Sequence, residues 1–541
     1  MLALRSYLLV GLAGIASEVF IFSKGEWDRH SPTILKFLIS VQALVTVWFK
    51  IYGFTLLSSI QQTCVLTAVY AISLFTAMSI YRLFFHPLRG FPGPIAARVS
   101  VFWILKQNLP QLLFYRKLRQ LHNDYGDFVR TRPRELSICH PDAVMDILGP
   151  RSKVVKGEFY EHMWPHQNLQ LTRDIAFHKS KRRVWDKAFS PSALRDYVPR
   201  LAGHHAEVIE LLDKHSRSGV PVDVTRVFMD VQFDVISDFS FGKSWNMLTS
   251  GKPHPLVKDF VENKRIVGFL INFLWIFHLT KLFPGVEGMI DEMLKEYGKM
   301  LEERRQMRSP LPDFYTYFSQ NPQAIKDGPA DAQLAVIAGA DTTALTLIHI
   351  FYILARYPDI QSNLHAELDP LPASAEDSGL VSDQYLAPRP YLNGIINEVL
   401  RLYSPVPAAL QRLTPPEGAT IAGRYVPGNM NVSVPTYALH RDPRAFAQPD
   451  EFIPERWSSQ PELIIRKDAF IAFSYGPENC VGRPLAMMQL RMLVARIARR
   501  FEVSVPKGAD KEWRKFEEEK ADCFVLDVRK LPMVFKERVK H

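Results

Sequence analysis

Residues Phe473–Ala486 read FSYGPENCVGRPLA: an extended, glycine-bearing approach to Cys480, then a helix that starts at Pro484 and continues through MMQLRMLVARIARRF. A thiolate held in such a loop, with the amides of the next residues aimed at the sulfur, suits an axial ligand to a heme iron. Thiolate ligation pushes electron density onto iron and favours O–O cleavage, and hydrogen bonds to the sulfur tune that push. Gly476 and Gly482 supply points where the backbone bends sharply or lies close to a flat partner. A lone intracellular cysteine is more often a small buried hydrophobe, so the reading depends on what accompanies Cys480 elsewhere in the chain.

The stretch resembles the signature of the cytochrome P-450 family, the heme-thiolate monooxygenases. That signature has Phe, two residues, Gly, one, Arg or His, one, Cys, one, Gly; Phe473, Gly476, Cys480 and Gly482 all fall on it. One position departs. Glu478 stands where the family usually has a basic residue that meets a heme propionate. The expectation is that Glu478 turns to solvent, leaving the propionates to His178, Arg182 and Arg412, with help from Arg483.

Two further stretches carry the resemblance. In AVIAGADTTALTLIHIFYILARY (Ala335–Tyr357) a helix has Gly339, Asp341, Thr342 and Thr343 at its centre. Glycine there costs about 1 kcal/mol relative to alanine, a buried aspartate needs a partner, and threonine bonded to the i−4 carbonyl bends the helix. Such grouping is better explained by a site than by packing. It is similar to the family's oxygen-activation motif, which implies Asp341 and Thr342 as the acid and hydroxyl of a proton relay. Glu398 and Arg401 in NEVLR lie at i and i+3, and with Arg456 of PERW (Pro454–Trp457) they resemble the family's buried Glu–Arg–Arg triad. Arginine suits that role because its planar fork binds carboxylate bidentately and stays charged.

The chain of 541 residues, 47% hydrophobic, is long enough for a large core. Its four cysteines are scattered without a CxxC pair, which argues against a disulfide framework or zinc finger and favours a reducing compartment. The formal net charge of +10 is concentrated in the first hundred residues and in residues 151–200. No basic run interleaved with aromatics accompanies it, so a membrane surface and an acidic protein partner account for it and nucleic acid does not.

The first 85 residues read as a membrane anchor with about three transmembrane helices, near 6–23, 33–50 and 63–84. From Ile51 to Tyr81 no residue is charged, and Gln61-Gln62 is the natural place for that run to break. No small-residue cleavage site is evident, so a removed signal peptide is not expected. Arg82 and Arg89 after the third span place the rest of the chain in the cytosol under the positive-inside rule. HPLRGFPGP (86–94) is a proline-stiffened hinge, and residues 95–541 form the catalytic domain.

Within that domain Tyr125–Leu148 reads as two short strands and a helix, and residues 424–436 as strands. HKSKRRVWDKAF (His178–Phe189) reads as a basic helix with His178 and Arg182 on one face. Lys179, Lys181 and Arg183 point elsewhere, toward solvent or an acidic redox partner. Val267–Gly285 is apolar enough to lie in a membrane interface or the core; by resemblance it flanks the substrate entrance.

The fold implied is mainly α with a smaller β-rich lobe, a cytochrome P-450 fold preceded by N-terminal transmembrane helices. The resemblance further implies heme b (iron protoporphyrin IX) with Cys480 as iron ligand, O2, and NADPH-derived electrons from a separate flavoprotein reductase, since no dinucleotide fingerprint is present. The expected reaction is hydroxylation or epoxidation of a lipophilic small molecule in secondary metabolism, a terpenoid, indole or polyketide, at the endoplasmic reticulum membrane. A heme-thiolate isomerase, dehydratase or peroxygenase, and a non-catalytic membrane heme-binding protein, are the alternatives.

Overall fold

Three apolar helices come first in the computed structural model, which describes residues 2–309, 311–320, 327–372, 376–377 and 380–539. They are α1 (Leu2–Ser17), α2 (Ser31–Ile51) and α3 (Leu56–Ile80). With short extensions, Arg5–Phe22, Asp28–Ile51 and Leu56–Phe85 are long and apolar enough to cross a membrane. Polar side chains face one another between the helices: Thr46 and Thr63 at 3.0 Å, Tyr70 and Ser17 at 2.9 Å. Large apolar side chains such as Leu9, Phe37, Leu44 and Phe75 point outward, the arrangement expected of helices in lipid. The expected break at Gln61-Gln62 is corrected. Thr55 caps α3 by accepting the Ser58 amide, and Gln62 lies inside the helix, where it accepts from Tyr7 of α1.

The connector 86–94 is packed against the chain that follows it. Leu88 and Phe91 are buried, Arg130 donates its amide to the Pro92 carbonyl at 2.7 Å, and its guanidinium reaches the Arg82 carbonyl at 3.0 Å.

The small lobe is a five-stranded sheet of β1 (Phe128–Arg132), β2 (Glu135–Ile138), β3 (Val155–Lys156), β4 (Arg412–Leu413) and β5 (Asn431–Ser433), in the order β1-β2-β5-β4-β3. Only β2 and β5 are parallel; between antiparallel β3 and β4, Lys156 lies directly opposite Arg412.

The helical lobe contains α4 (Ile175–Ala188), α5 (Pro191–Ser218), α6 (Val224–Phe241), α7 (Pro255–Leu270), α8 (Leu274–Thr280), α9 (Val286–Gln306), α10 (Gly328–Arg356), α11 (Pro390–Leu402) and α12 (Arg483–Arg500). α10 is also long and apolar enough to span, but 72% of that stretch is buried by protein, and it forms the axis of the core. Gly339 lets it approach α6, since a Cβ there would come within 2.8 Å of Ile236. The apolar run 267–285 divides between the end of α7 and α8, with Val267 and Phe283 exposed.

Candidate active site

The loop carrying the cysteine is shaped by its own backbone. The Cys480 amide donates to the Phe473 carbonyl at 2.9 Å, and Gly476 sits at φ +70° where any Cβ would overlap the Leu148 carbonyl. Arg182 clasps the loop from α4, donating to the Asn479 carbonyl at 2.7 Å and its side-chain oxygen at 2.8 Å. The Cys480 thiol faces a cavity of about 440 Å³, lined also by Phe473, Gly482, His178 and Thr342. This explains why the residue is solvent-accessible although protein surrounds it. Burial pushes the thiol up; the amides of Gly482 and Arg483 and the charge of Arg182 oppose that and favour the thiolate.

One rim of the cavity is strongly basic. Lys156 and Arg412, paired across the sheet, would repel each other, and Glu478 lies between them at 3.4 Å and 3.3 Å. The expectation that Glu478 turns to solvent is therefore corrected: two buried cations draw it inward. Its Oε2 has ion-pair contacts but no aligned hydrogen bond, so both cations retain donors for further carboxylates. Burial, opposed by Glu478, lowers Lys156 to about 8, which leaves it charged at neutral pH. His178 is buried on the same rim, and burial together with the Lys156 charge keeps its imidazole below the ordinary value. A thiol at the floor of an apolar cavity and cations at its edge fit a flat, dianionic macrocycle with a thiolate-ligated metal. Arg182 is committed to Asn479 and to Asp186 at 2.8 Å, and Arg483 lies over the Phe473 ring.

The two members of the α10 motif diverge. The Thr342 hydroxyl, bonded back to the Ala338 carbonyl at 2.7 Å, faces the cavity. Asp341 is buried behind it and accepts two hydrogen bonds from Lys264 of α7, at 2.7 and 3.0 Å; the same ammonium donates to the Leu526 carbonyl at 2.9 Å. Burial raises the Asp341 carboxyl, with Lys264 opposing.

Glu398, Arg401 and Arg456 are fully buried. Arg401 grips Glu398 bidentately at 2.6 and 2.9 Å, Arg456 donates to it at 3.0 Å, and the Trp457 indole donates at 2.9 Å. Burial alone would raise the Glu398 carboxyl, but the two arginines outweigh it and hold it low. His440 carries this network to the cysteine loop: its Nδ1 meets the Arg401 carbonyl at 2.9 Å and its Nε2 accepts the Ile471 amide at 3.0 Å.

Sequence reasoning missed Lys156, Lys264 and His440. The requirement for a cation beside a buried Asp341 was the one available signal for Lys264. Lys181 was misread as outward-facing; it is buried, paired with Asp331 at 2.6 Å.

A model of the Cytochrome P450 family matches residues 92–526, and the chain belongs to that family. It is similar to the cytochrome P450 monooxygenase nodW of Hypoxylon pulicicidum, 35% identical with 97% of each chain covered. The tryprostatin B 6-hydroxylase of Neosartorya fischeri is 33% identical, covering 98% of this chain and 97% of its own. The cytochrome P450 monooxygenase phqL of Penicillium fellutanum is 34% identical over 97% and 94%. The protein is a heme-thiolate monooxygenase that uses heme b, O2 and reductase-supplied electrons.

Proposed function

We propose that Cys480 is the iron ligand and that the enzyme hydroxylates or epoxidises a lipophilic, indole-type small molecule in secondary metabolism. The observation that carries this reading is the shared cavity: the Cys480 thiol and the Thr342 hydroxyl open into one space, whose walls include Phe159, Phe260 and Phe524. Stacked aromatic walls, with Phe159 on Phe524 at 5.3 Å, favour a flat ring system over an aliphatic terpenoid or a polyketide. The name of the tryprostatin B 6-hydroxylase supports hydroxylation as the reaction.

When bound, the heme supplies an iron that takes the Cys480 thiolate and activates dioxygen. Lys156, Arg412 and His178 hold its propionates, while Arg182 holds the loop. Thr342 presents its hydroxyl at the cavity wall, and the proton becomes available when the bond to the Ala338 carbonyl is given up. Asp341 is the acid behind it, able to take a proton from water and pass it on once Lys264 releases its carboxylate. The Glu398–Arg401–Arg456 triad is structural and keeps the cysteine loop in register. Electrons come from a separate NADPH-dependent flavoprotein reductase. The enzyme sits in the endoplasmic reticulum membrane with three spans and its catalytic domain, from about residue 95, in the cytosol. The contacts of the 23–30 loop with the catalytic domain support an odd number of spans, because they put that loop and the domain on the same face.

The test is turnover of tryprostatin B with reductase and NADPH under labelled dioxygen, where one labelled oxygen is expected in the product. Thr342→Ala should keep heme and lose product roughly a hundredfold, with NADPH oxidation continuing. Label from water, or undiminished product in Thr342→Ala, would overturn the relay.

A second measurement concerns Glu478. Removing its charge frees two cations for the propionates, so Glu478→Gln should lose heme to an acceptor globin about fivefold more slowly, equivalent to roughly 1 kcal/mol. Faster loss would mean that Glu478 instead helps to hold the cofactor.

A further inference from the structure

We propose that Glu26 and Arg29, in the loop joining the first two spans, are positioning residues for the mouth of the active-site cavity and set the size of ligand that passes it. The inference rests on the heme-thiolate cavity and on the reading of residues 1–85 as an anchor.

Residues 156–171 form one wall of the cavity, with Phe159, His162, Met163, Leu169 and Leu171 on the inner face. The outer face of the same segment carries Glu161 and Trp164, and Arg173 follows. The anchor loop engages this outer face. Glu26 accepts from Arg173 at 2.7 and 3.2 Å; Arg173 also donates to Glu161 at 3.2 Å and to the Lys156 carbonyl at 3.1 Å. Arg29 completes the row at 3.3 Å from Glu161, with its guanidinium 5.0 Å from the centre of the Trp164 ring. Glu26, Arg173, Glu161 and Arg29 thus alternate in sign, and their side chains are 25%, 22%, 20% and 36% exposed. An isolated exposed ion pair contributes little. A partly buried, alternating network with a bidentate arginine contributes more and is less screened by salt.

The start of α2 also holds a second segment, the one that follows the lining residues Val267 and Ile271. Ser31 donates to the Trp275 carbonyl of α8 at 2.8 Å. α8 continues from the wall residues Val267 and Ile271, and Lys281 just beyond it donates to the carbonyls of His162 and Trp164 at 3.2 and 3.1 Å. Both segments are therefore fastened to one short stretch of the anchor, and the proposed mouth lies between them. A bulky ligand has to part them, whereas a small one does not.

The experiment uses the full-length protein in lipid nanodiscs and two iron-binding probes, imidazole and the bulky azole ketoconazole, followed by stopped-flow absorbance. In the double variant Glu26→Gln with Arg29→Gln, ketoconazole should enter roughly tenfold faster while imidazole is unchanged. The charge-retaining pair Glu26→Asp with Arg29→Lys should restore the parent rate. The reduced carbon-monoxide band at about 450 nm should be the same in all three. Unaltered ketoconazole entry, an equal change for both probes, or failure of the charge-retaining pair to restore the rate would overturn the proposal. A parent protein without the band would instead overturn the heme-thiolate reading on which it rests.

Discussion

Cys480→Ala is expected to show no band at about 450 nm when reduced under carbon monoxide, and to lose oxygenase activity entirely. The loss is expected to be chemical and not a failure to fold. The loop is held by the Cys480 amide on Phe473, by Arg182 on Asn479 and by the fit of Gly476 against Leu148, none of which involves the sulfur. The thiol projects into the cavity, so its removal takes an acceptor from the Gly482 and Arg483 amides at the cavity edge but none from the packed core. Circular dichroism and the unfolding temperature of the cofactor-free protein should match the parent. A variant that keeps the band would show that some other atom ligates the iron.

Glu398→Ala has the opposite signature, a structural collapse. Removing this carboxylate leaves Arg401 and Arg456 buried with no counter-charge, a cost of about 3–5 kcal/mol, and strips the acceptor from the Trp457 indole and the Ile453 amide. Because His440 bridges Arg401 to Ile471 at the entry to the cysteine loop, the damage reaches the ligand. The variant should be recovered at low yield, largely without heme and with a clearly lowered unfolding temperature. Glu398→Asp, which keeps the charge but shortens the reach, should fall between it and the parent. Parent-like heme content and unfolding temperature in Glu398→Ala would remove the triad from this role.

Features that were legible in the sequence are those whose chemistry is local. The cysteine loop, the acid and hydroxyl in mid-helix, and the Glu-x-x-Arg pair each sit within a few residues, and their spacing alone restricts geometry. The paired strands of Tyr125–Leu148 and the long helix over Ala335–Tyr357 were likewise read from single continuous stretches. What could not be read depends on contacts between distant segments. Lys264 stands in PLVKDFVENKRIVGFL among other charged residues, and nothing there marks it as the one that turns inward to Asp341. Lys156 and Arg412 become neighbours only through strand register, and that register decides where Glu478 points. Lys181 looked like one more basic residue on a solvated helix because its partner Asp331 lies 150 positions away. The 24–33 segment KGEWDRHSPT read as no more than a polar break between spans, since its partners Glu161, Arg173 and Trp275 are equally remote.

The seat of Gly476 against Leu148 also orders events during synthesis. The ribosome makes Leu148 long before Gly476, and the ligand loop has nothing to rest on until the small lobe is in place. At typical elongation rates of about 5–20 residues per second, tens of seconds separate the two. The nascent chain has its apolar N-terminal helices and the first strands of its sheet made while the cysteine loop is still unmade. Cofactor capture is therefore expected late in synthesis, and a cell short of porphyrin should accumulate an almost finished apoprotein in place of early fragments.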